Sequence, residues 1–318
     1  MTTKTGWGRA LRVAVILGTV AFMAMLARGL DWKRVSEAVR RADGRLLLLA
    51  GGLALAALVV QAARWYHVIQ PVKRVPFRTV LAASLAGQAA SCVLPFRAGE
   101  AVRLELLARA TGLSRAAALG TVATDHTVNG AVMFLLGALA PFLLPVPPAA
   151  RVAVWGGMAV LGVVAFVLLK LASRADGREP TGRIGRALFK LREGLLALRN
   201  PRAVGAAAIS SMAAWLLEVA AAAAALGAFG LQHGAAGGAA VIFGVNLAMA
   251  APAPPANLGT FEIGAAMALM ALGESSDSAA AFALGYHALL LLPMILTGGF
   301  GLLVIRRGFP AEPIANAG

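Results

Sequence analysis

An aspartate and a histidine stand side by side, Asp125 and His126, about nine residues inside an apolar run that extends from 116 to 144. A second histidine, His287, lies at the corresponding depth of the apolar run 279–305, and Glu218 lies alone inside 203–231. Ionisable groups at such positions are costly in hydrocarbon, so each is a candidate for function. Histidine titrates near neutrality, which suits it to binding phosphate as an imidazolium or to carrying a proton. The same residues also serve as interhelical hydrogen-bond partners that fix packing. Glu218 either pairs with a basic residue across the bundle or holds a coupling proton.

Two further constellations sit at breaks in the apolar pattern. Pro95-Phe96-Arg97-Ala98-Gly99-Glu100-Ala101-Val102-Arg103 opens a helix after a Pro/Gly interruption. Its free N–H groups and helix dipole favour an anion, and Arg97 and Arg103, on either side of Glu100, add bidentate phosphate donors. The competing reading is that these arginines anchor a cytoplasmic boundary. Pro254-Pro255-Ala256-Asn257-Leu258-Gly259-Thr260-Phe261-Glu262 makes the equivalent break with Asn257 and the carboxylate of Glu262. No HExxH, P-loop, GxSxG, Cys/His cluster or Mg²⁺-binding acidic pair is present, so no enzyme, cofactor or metal is expected.

The elements that must position these residues are membrane helices. Of the 318 residues 59% are hydrophobic and only 14% charged, against about a quarter charged in an ordinary soluble domain. That excludes a soluble globule and a disordered tail. Runs of spanning length also exclude a β-barrel, whose strands alternate over about 10 residues. Full spans are expected at 13–27, 46–63, 116–144, 152–169, 203–231 and 279–305, with amphipathic surface helices at 31–45 and within 170–202. The span 46–63 should end at Arg64-Trp65-Tyr66-His67, a basic and aromatic interface anchor. The single cysteine, Cys92, forms no internal disulfide and reads as packing.

The net charge of +15 sits in short segments beside the apolar runs, where it sets topology rather than binding nucleic acid. Segments 64–78, 97–115, 170–202 and 306–307 read as cytoplasmic, with both termini on that side. The apolar stretch 79–95 is then flanked by cytoplasm on both sides and must enter and return. The proline-broken stretch 235–277 does the same from outside. Non-helical backbone at that depth is tolerated only inside protein or beside a wet cavity. The halves, about 46–144 and 203–305, repeat one order of elements in opposite orientation, with Gly112, Ser114 and His126 matched by Gly273, Ser275 and His287. The expected fold is therefore all-α: one transmembrane domain over 1–318, about six full spans and two re-entrant elements in an inverted-topology repeat. The basic segment 170–202 joins the halves. Secondary transporters place a site near the midplane of such repeats.

Taken together, the sequence resembles the lysylphosphatidylglycerol synthase transmembrane-domain family, which includes the flippase half of the multiple peptide resistance factors. The likeness rests on Arg64-Trp65; on Pro95, Gly99, Glu100 and Arg103, then Leu106-Leu107 and Thr111-Gly112-Leu113-Ser114; and on Trp215-Leu216-Leu217-Glu218. In the second half it rests on Pro254/Pro255, Gly259, Glu262, Leu272-Gly273, Pro293 and Gly298-Gly299. It implies a bacterial inner-membrane protein that translocates anionic or aminoacylated phospholipid or polyprenyl phosphate, without the aminoacyltransferase domain of the two-part proteins. A homodimer or a lipid-synthesis enzyme is a further partner class, the latter through a non-transporting accessory role. Departures from the family pattern are Asp125-His126 for an acidic-Arg pair, His287 for an Arg, and Pro255-Ala256-Asn257 for Pro-Gly-Gly.

Overall fold

The computed structural model describes residues 32–94, 98–143, 148–173, 182–249 and 255–306. The expected first span, 13–27, and Arg97 lie outside the described residues. The first half holds a surface helix, α1 (Trp32–Arg41), then α2 (Gly44–Ile69), α3 (Phe77–Val93), α4 (Gly99–Thr111) and α5 (Arg115–Leu143). Then come α6 (Pro148–Ala172) and α7 (Arg183–Gly194), with a 3₁₀ turn at Leu196–Arg199. The second half is α8 (Pro201–Ala228), α9 (Gly234–Ala248), a 3₁₀ turn at Pro255–Asn257, α10 (Thr260–Ala271) and α11 (Ser276–Arg306). No strand occurs among the described residues.

Local chemistry sets the ends of these helices in matching ways. Asp43 caps α2 by accepting from the Arg45 and Leu46 amides at 2.8 and 3.4 Å, and Asn200 caps α8 from Arg202 and Ala203 at 3.1 and 3.2 Å. Gly112 and Gly273 follow α4 and α10 with φ of 70° and 94°, a region that glycine enters without a Cβ penalty. Ser114 and Ser275 then cap α5 and α11, each accepting from the amide three residues on, at 3.1 and 3.2 Å. The glycine–serine pairs matched in the sequence are the joints of the repeat.

Among the described residues, four helices are long and apolar enough to cross a membrane: α2, the Trp155–Ala172 part of α6, α8, and the Ser276–Gly299 part of α11. At 1.5 Å per residue, the 29 residues of α5 reach about 44 Å, more than the ~30 Å hydrocarbon core. Its middle is polar because it carries Asp125, His126 and Asn129. On α6 and α8, Val160, Phe166 and Ile209 are 65, 61 and 73% exposed. In water they would form aggregating patches; in a bilayer they face lipid.

The halves meet through their first helices. α2 and α8 run antiparallel: the Asp43 amide donates to the Ala228 carbonyl at 2.9 Å, and Gln61 meets Glu218 further along. Equivalent helices of opposite direction are what an inverted repeat requires.

Each broken segment is a helical hairpin closed by a glycine pair. A Cβ on Gly99 would stand 2.1 Å from the Gly87 carbonyl oxygen, so α3 and α4 touch at the backbone. In the second hairpin a Cβ on Gly244 or Gly264 would stand 2.6 Å from the other's carbonyl oxygen. Small residues permit this approach, and dispersion between backbones replaces the missing hydrophobic force between helices in lipid. The two seams between halves differ. α11 lies against α3 through Gly298 and Gly301, which face Ala89 and the Ala82 carbonyl. The equivalent seam between α5 and α9 holds the Phe243 ring against Gly137.

The structure corrects the sequence reading at one anchor. Helix α2 does not end at 63 but runs to Ile69, and Arg64 and Trp65 are buried, at 5 and 0% exposure. Their partners, described below, lie inside the bundle. Replacing Gly99 by alanine pushes the hairpin apart and should cost about 1–3 kcal/mol by overpacking. Gly52→Ala, at an open helical position, should leave the melting temperature unchanged or raise it. Thermal unfolding of the two variants in detergent checks the contrast; equal melting temperatures would remove the close-contact account.

Candidate functional site

Asp125, fully buried on α5, is bracketed by two arginines from different helices. Arg64 of α2 donates through Nε to Oδ1 at 2.7 Å and through Nη2 to Oδ2 at 3.3 Å. Arg103 of α4 donates through Nη2 to Oδ2 at 2.8 Å. Arg64 Nη1 also donates to Asn129 Oδ1 at 2.5 Å, an oxygen that accepts in turn from Ser211 on α8 at 2.8 Å. The Arg103 guanidinium lies 4.2 Å from the Trp65 ring centroid, and Trp65 Nε1 donates to Thr121 at 3.2 Å. Charges this far from water persist only when paired and hydrogen-bonded.

Equivalent positions of the two halves hold a glutamate–histidine pair; a further one, His233 with Glu274 at 2.7 Å, lies in the second half away from the cavity lining. His126 Nε2 lies 3.2 Å from Glu100 Oε2. His287 Nδ1 lies 2.7 Å from Glu262 Oε1. Glu262 also accepts from the Gly259 amide at 2.6 Å, closing the start of α10, and the His287 ring stacks on Phe261 with centroids 4.2 Å apart. The residue before each histidine breaks the symmetry: Asp125 in the first half, Tyr286 in the second. The charge-paired wall is therefore built by the first half alone.

Gln61 and Glu218 occupy the same step of their helices, α2 and α8, which begin at Gly44 and Pro201. Gln61 Nε2 donates to Glu218 Oε1 at 2.6 Å, and Gln88 Nε2 of α3 donates to Gln61 Oε1 at 3.1 Å. Between the hairpins lies a cavity of about 330 Å³ whose lining includes Gln61, Gln88, Glu100, Arg103, His126, Trp215, Glu218, Asn246, Asn257 and His287. Two of its lining residues carry a buried donor without a partner, Arg103 Nε and Trp215 Nε1. Arg103 Nε is 3.3 Å from Glu100 Oε2, close enough for ion pairing but not aligned as a hydrogen bond. Arg64, by contrast, directs its Nε and both terminal nitrogens to protein acceptors. Unpaired buried donors beside a cavity call for an acceptor-rich occupant.

Of the residues singled out in the sequence, Glu100, Arg103, His126, Glu218, Asn257 and His287 line this cavity. Asp125 and Glu262 stand behind the wall, holding Arg64, Arg103 and His287. Arg97 lies outside the described residues. For Glu218, the alternative of a basic partner is not realised: among the described residues no cation comes within salt-bridge distance. The sequence reading missed Arg64, taken as an anchor, and Gln61, Trp215 and Tyr286. Gln61 and Arg64, three residues apart, share one helix face, and a glutamine inside an otherwise apolar run was the available signal.

The Pro255–Asn257 turn at the cavity holds Ala256 and Asn257 both at φ 56°, a left-handed conformation that costs a residue with a Cβ about 1–2 kcal/mol. The backbone keeps the shape of a glycine pair although neither residue is glycine. Beyond the spans, hydrogen bonds from Arg115 and Arg109 hold the Glu105 carboxyl down to about 2, so it stays ionised at the surface. Lys73 reaches the Thr111 carbonyl beside it.

Two outcomes follow from these contacts. Asp125→Asn leaves Arg64 and Arg103 without their shared counter-charge and should cost about 3–5 kcal/mol, seen as loss of the monodisperse peak in size exclusion. Glu100→Gln, at a half-exposed carboxylate, should keep that peak. Ala256→Gly relieves the left-handed strain, less the entropy that glycine adds to the unfolded chain. It should raise the melting temperature, by about 0.5–1 kcal/mol of stability; a lowered value would contradict the turn geometry.

No curated protein matches the chain. The family described as the lysylphosphatidylglycerol synthase TM region matches residues 9–298, which include every helix described above apart from the last turns of α11. With transmembrane helices, paired hairpins and a polar cavity between them, this chain belongs to the lysylphosphatidylglycerol synthase TM region family.

Proposed function

We propose that the protein translocates a phosphate-bearing lipid headgroup across a bacterial inner membrane. The headgroup is that of an anionic or aminoacylated phospholipid or of a polyprenyl phosphate. The observation that carries this reading is the pair of unsatisfied donors, Arg103 Nε and Trp215 Nε1, in residues that line one cavity. A phosphate offers the acceptors they lack. About 330 Å³ is at the small end of ligand pockets, enough for a headgroup but not for two acyl chains. The chains therefore stay in the bilayer while the headgroup crosses between the hairpins.

The family supports a membrane role in lipid metabolism or transport, and the antiparallel halves supply the symmetry that alternating access uses. In this reading α3–α4 enters from the cytoplasm and α9–α10 from the other side, with both termini cytoplasmic. Neither the cavity nor the arginine pair requires a metal, and the role is not enzymatic.

A second reading, an accessory protein that docks a lipid-synthesis enzyme, draws on α7, where Ile184 and Leu188 are 79 and 42% exposed. Proteoliposomes carrying labelled phosphatidylglycerol or polyprenyl phosphate separate the two. Trp215→Phe removes one donor to a charged group, about 1.5–3 kcal/mol, and Arg103→Ala removes a guanidinium that also holds Asp125; each should slow headgroup movement about tenfold or more. Ile184→Ser with Leu188→Ser should leave it intact. If the α7 double variant alone abolishes function in cells while the cavity variants retain it, docking replaces translocation.

A further inference from the structure

Every carboxylate of the cavity and the wall behind it has a basic partner except one. Asp125 has two arginines, Glu100 has His126 and Arg103, and Glu262 has His287. Glu218 has Gln61. The amide chain from Gln88 through Gln61 points its N–H groups toward this carboxylate, giving it dipoles but no charge. An ionised carboxylate whose hydrogen-bond partner is neutral, with the nearby Arg64 already committed to Asp125, is expensive at membrane depth. Taking up a proton removes that cost.

Position gives the proton somewhere to go. Glu218 and Gln61 are equivalent residues of the two antiparallel helices, so they meet where the halves are related to each other. A group on that relation stays in place when the hairpins exchange which side is open, and it can face either surface in turn. Glu218 is also one turn from Trp215 on α8, so both stand on one face of the helix and both line the cavity. A phosphate held by Trp215 and Arg103 thus lies beside the carboxyl group.

We propose that Glu218 is the site of a proton that crosses together with the headgroup phosphate. The inference rests on the translocase reading and adds its energy source. The protonated carboxyl admits the phosphate anion next to it, since two negative charges in one small cavity repel. On the far side the headgroup leaves, and the carboxyl gives its proton to water there. No covalent bond other than O–H forms or breaks. The ionisable groups around Glu218 fit this sequence. From α2 comes Arg64, occupied by Asp125; from α5, Asp125 and His126; and from α11, Tyr286 and His287, the latter held by Glu262. α3 and α9 contribute the neutral Gln88 and Asn246.

Proteoliposomes with an imposed pH difference test this directly. With one proton moving alongside one singly charged phosphatidylglycerol, each pH unit should bias the labelled lipid between leaflets about tenfold toward the alkaline side. In Glu218→Gln the ratio should fall to about one, whatever residual rate remains. A second readout is independent of transport: a pH-jump infrared difference spectrum of the purified protein should contain a protonated-carboxyl band that Glu218→Gln removes. Movement of lipid by the wild type with no response to the pH difference would overturn the proton site and leave translocation standing. A bias set by a sodium gradient instead would overturn it too. Absence of movement under every gradient would overturn the translocase reading and this inference together. A protonated-carboxyl band that persists unchanged in Glu218→Gln would overturn the assignment to Glu218 even if the bias were seen.

Discussion

Asp125 between Arg64 and Arg103 is the contact on which the rest of the site depends. Three helices that are separate in the sequence, α2, α4 and α5, are fixed to one another through two carboxylate oxygens. None of the three charges is tolerable at that depth alone. Their pairing sets the rotation of α2, which turns Gln61 toward Glu218, and the depth of α4, which puts Glu100 beside His126. It also divides labour between the arginines: Arg64 is saturated by Asp125 and Asn129, whereas Arg103, a residue of the cavity lining, keeps Nε without a hydrogen bond. The first holds the wall and the second serves it.

Duplication explains the paired parts and divergence explains the active ones. The capping serines Ser114 and Ser275, the left-handed Gly112 and Gly273, the glycine-closed hairpins and the Glu100–His126 and Glu262–His287 pairs recur at equivalent places of the two halves. Asp125 against Tyr286, Gln61 against Glu218 and Arg64 against Ala221 are among the places where the halves differ in charge. A repeated scaffold supplies two equivalent hairpins, and these substitutions make the cavity chemically one-sided. The seams differ too: α3 and α11 meet through glycine and alanine, whereas Phe243 stands against Gly137 between α5 and α9.

Much of this was legible in the residues. Hydropathy gave the spans that lie among the described residues, charge placement required two segments to turn back, and Gly112-x-Ser114 with Gly273-x-Ser275 marked the joints. Arg64 was not legible, because an arginine beside Trp65 at the end of an apolar run has the composition of an interface anchor. Only the continuation of α2 to Ile69 and the tertiary position of Asp125 draw it inside. The glycine contacts Gly87–Gly99 and Gly244–Gly264 were hidden for a related reason: glycine is frequent throughout the chain, and which glycine touches which is decided by helix rotation. At Pro255-Ala256-Asn257 two residues with a Cβ hold the left-handed backbone that glycine enters without penalty, a strain that composition alone cannot signal.

The central claim is that Arg103 and Trp215 hold a lipid phosphate between the hairpins. Mass spectrometry of lipids retained on the purified protein addresses it most directly, with the wild type compared against Arg103→Ala and the host membrane. One phosphate-bearing headgroup class should be enriched on the wild type and return to the host proportion in the variant. The same lipid composition on both proteins, matching the bulk membrane, would contradict a headgroup site at this cavity.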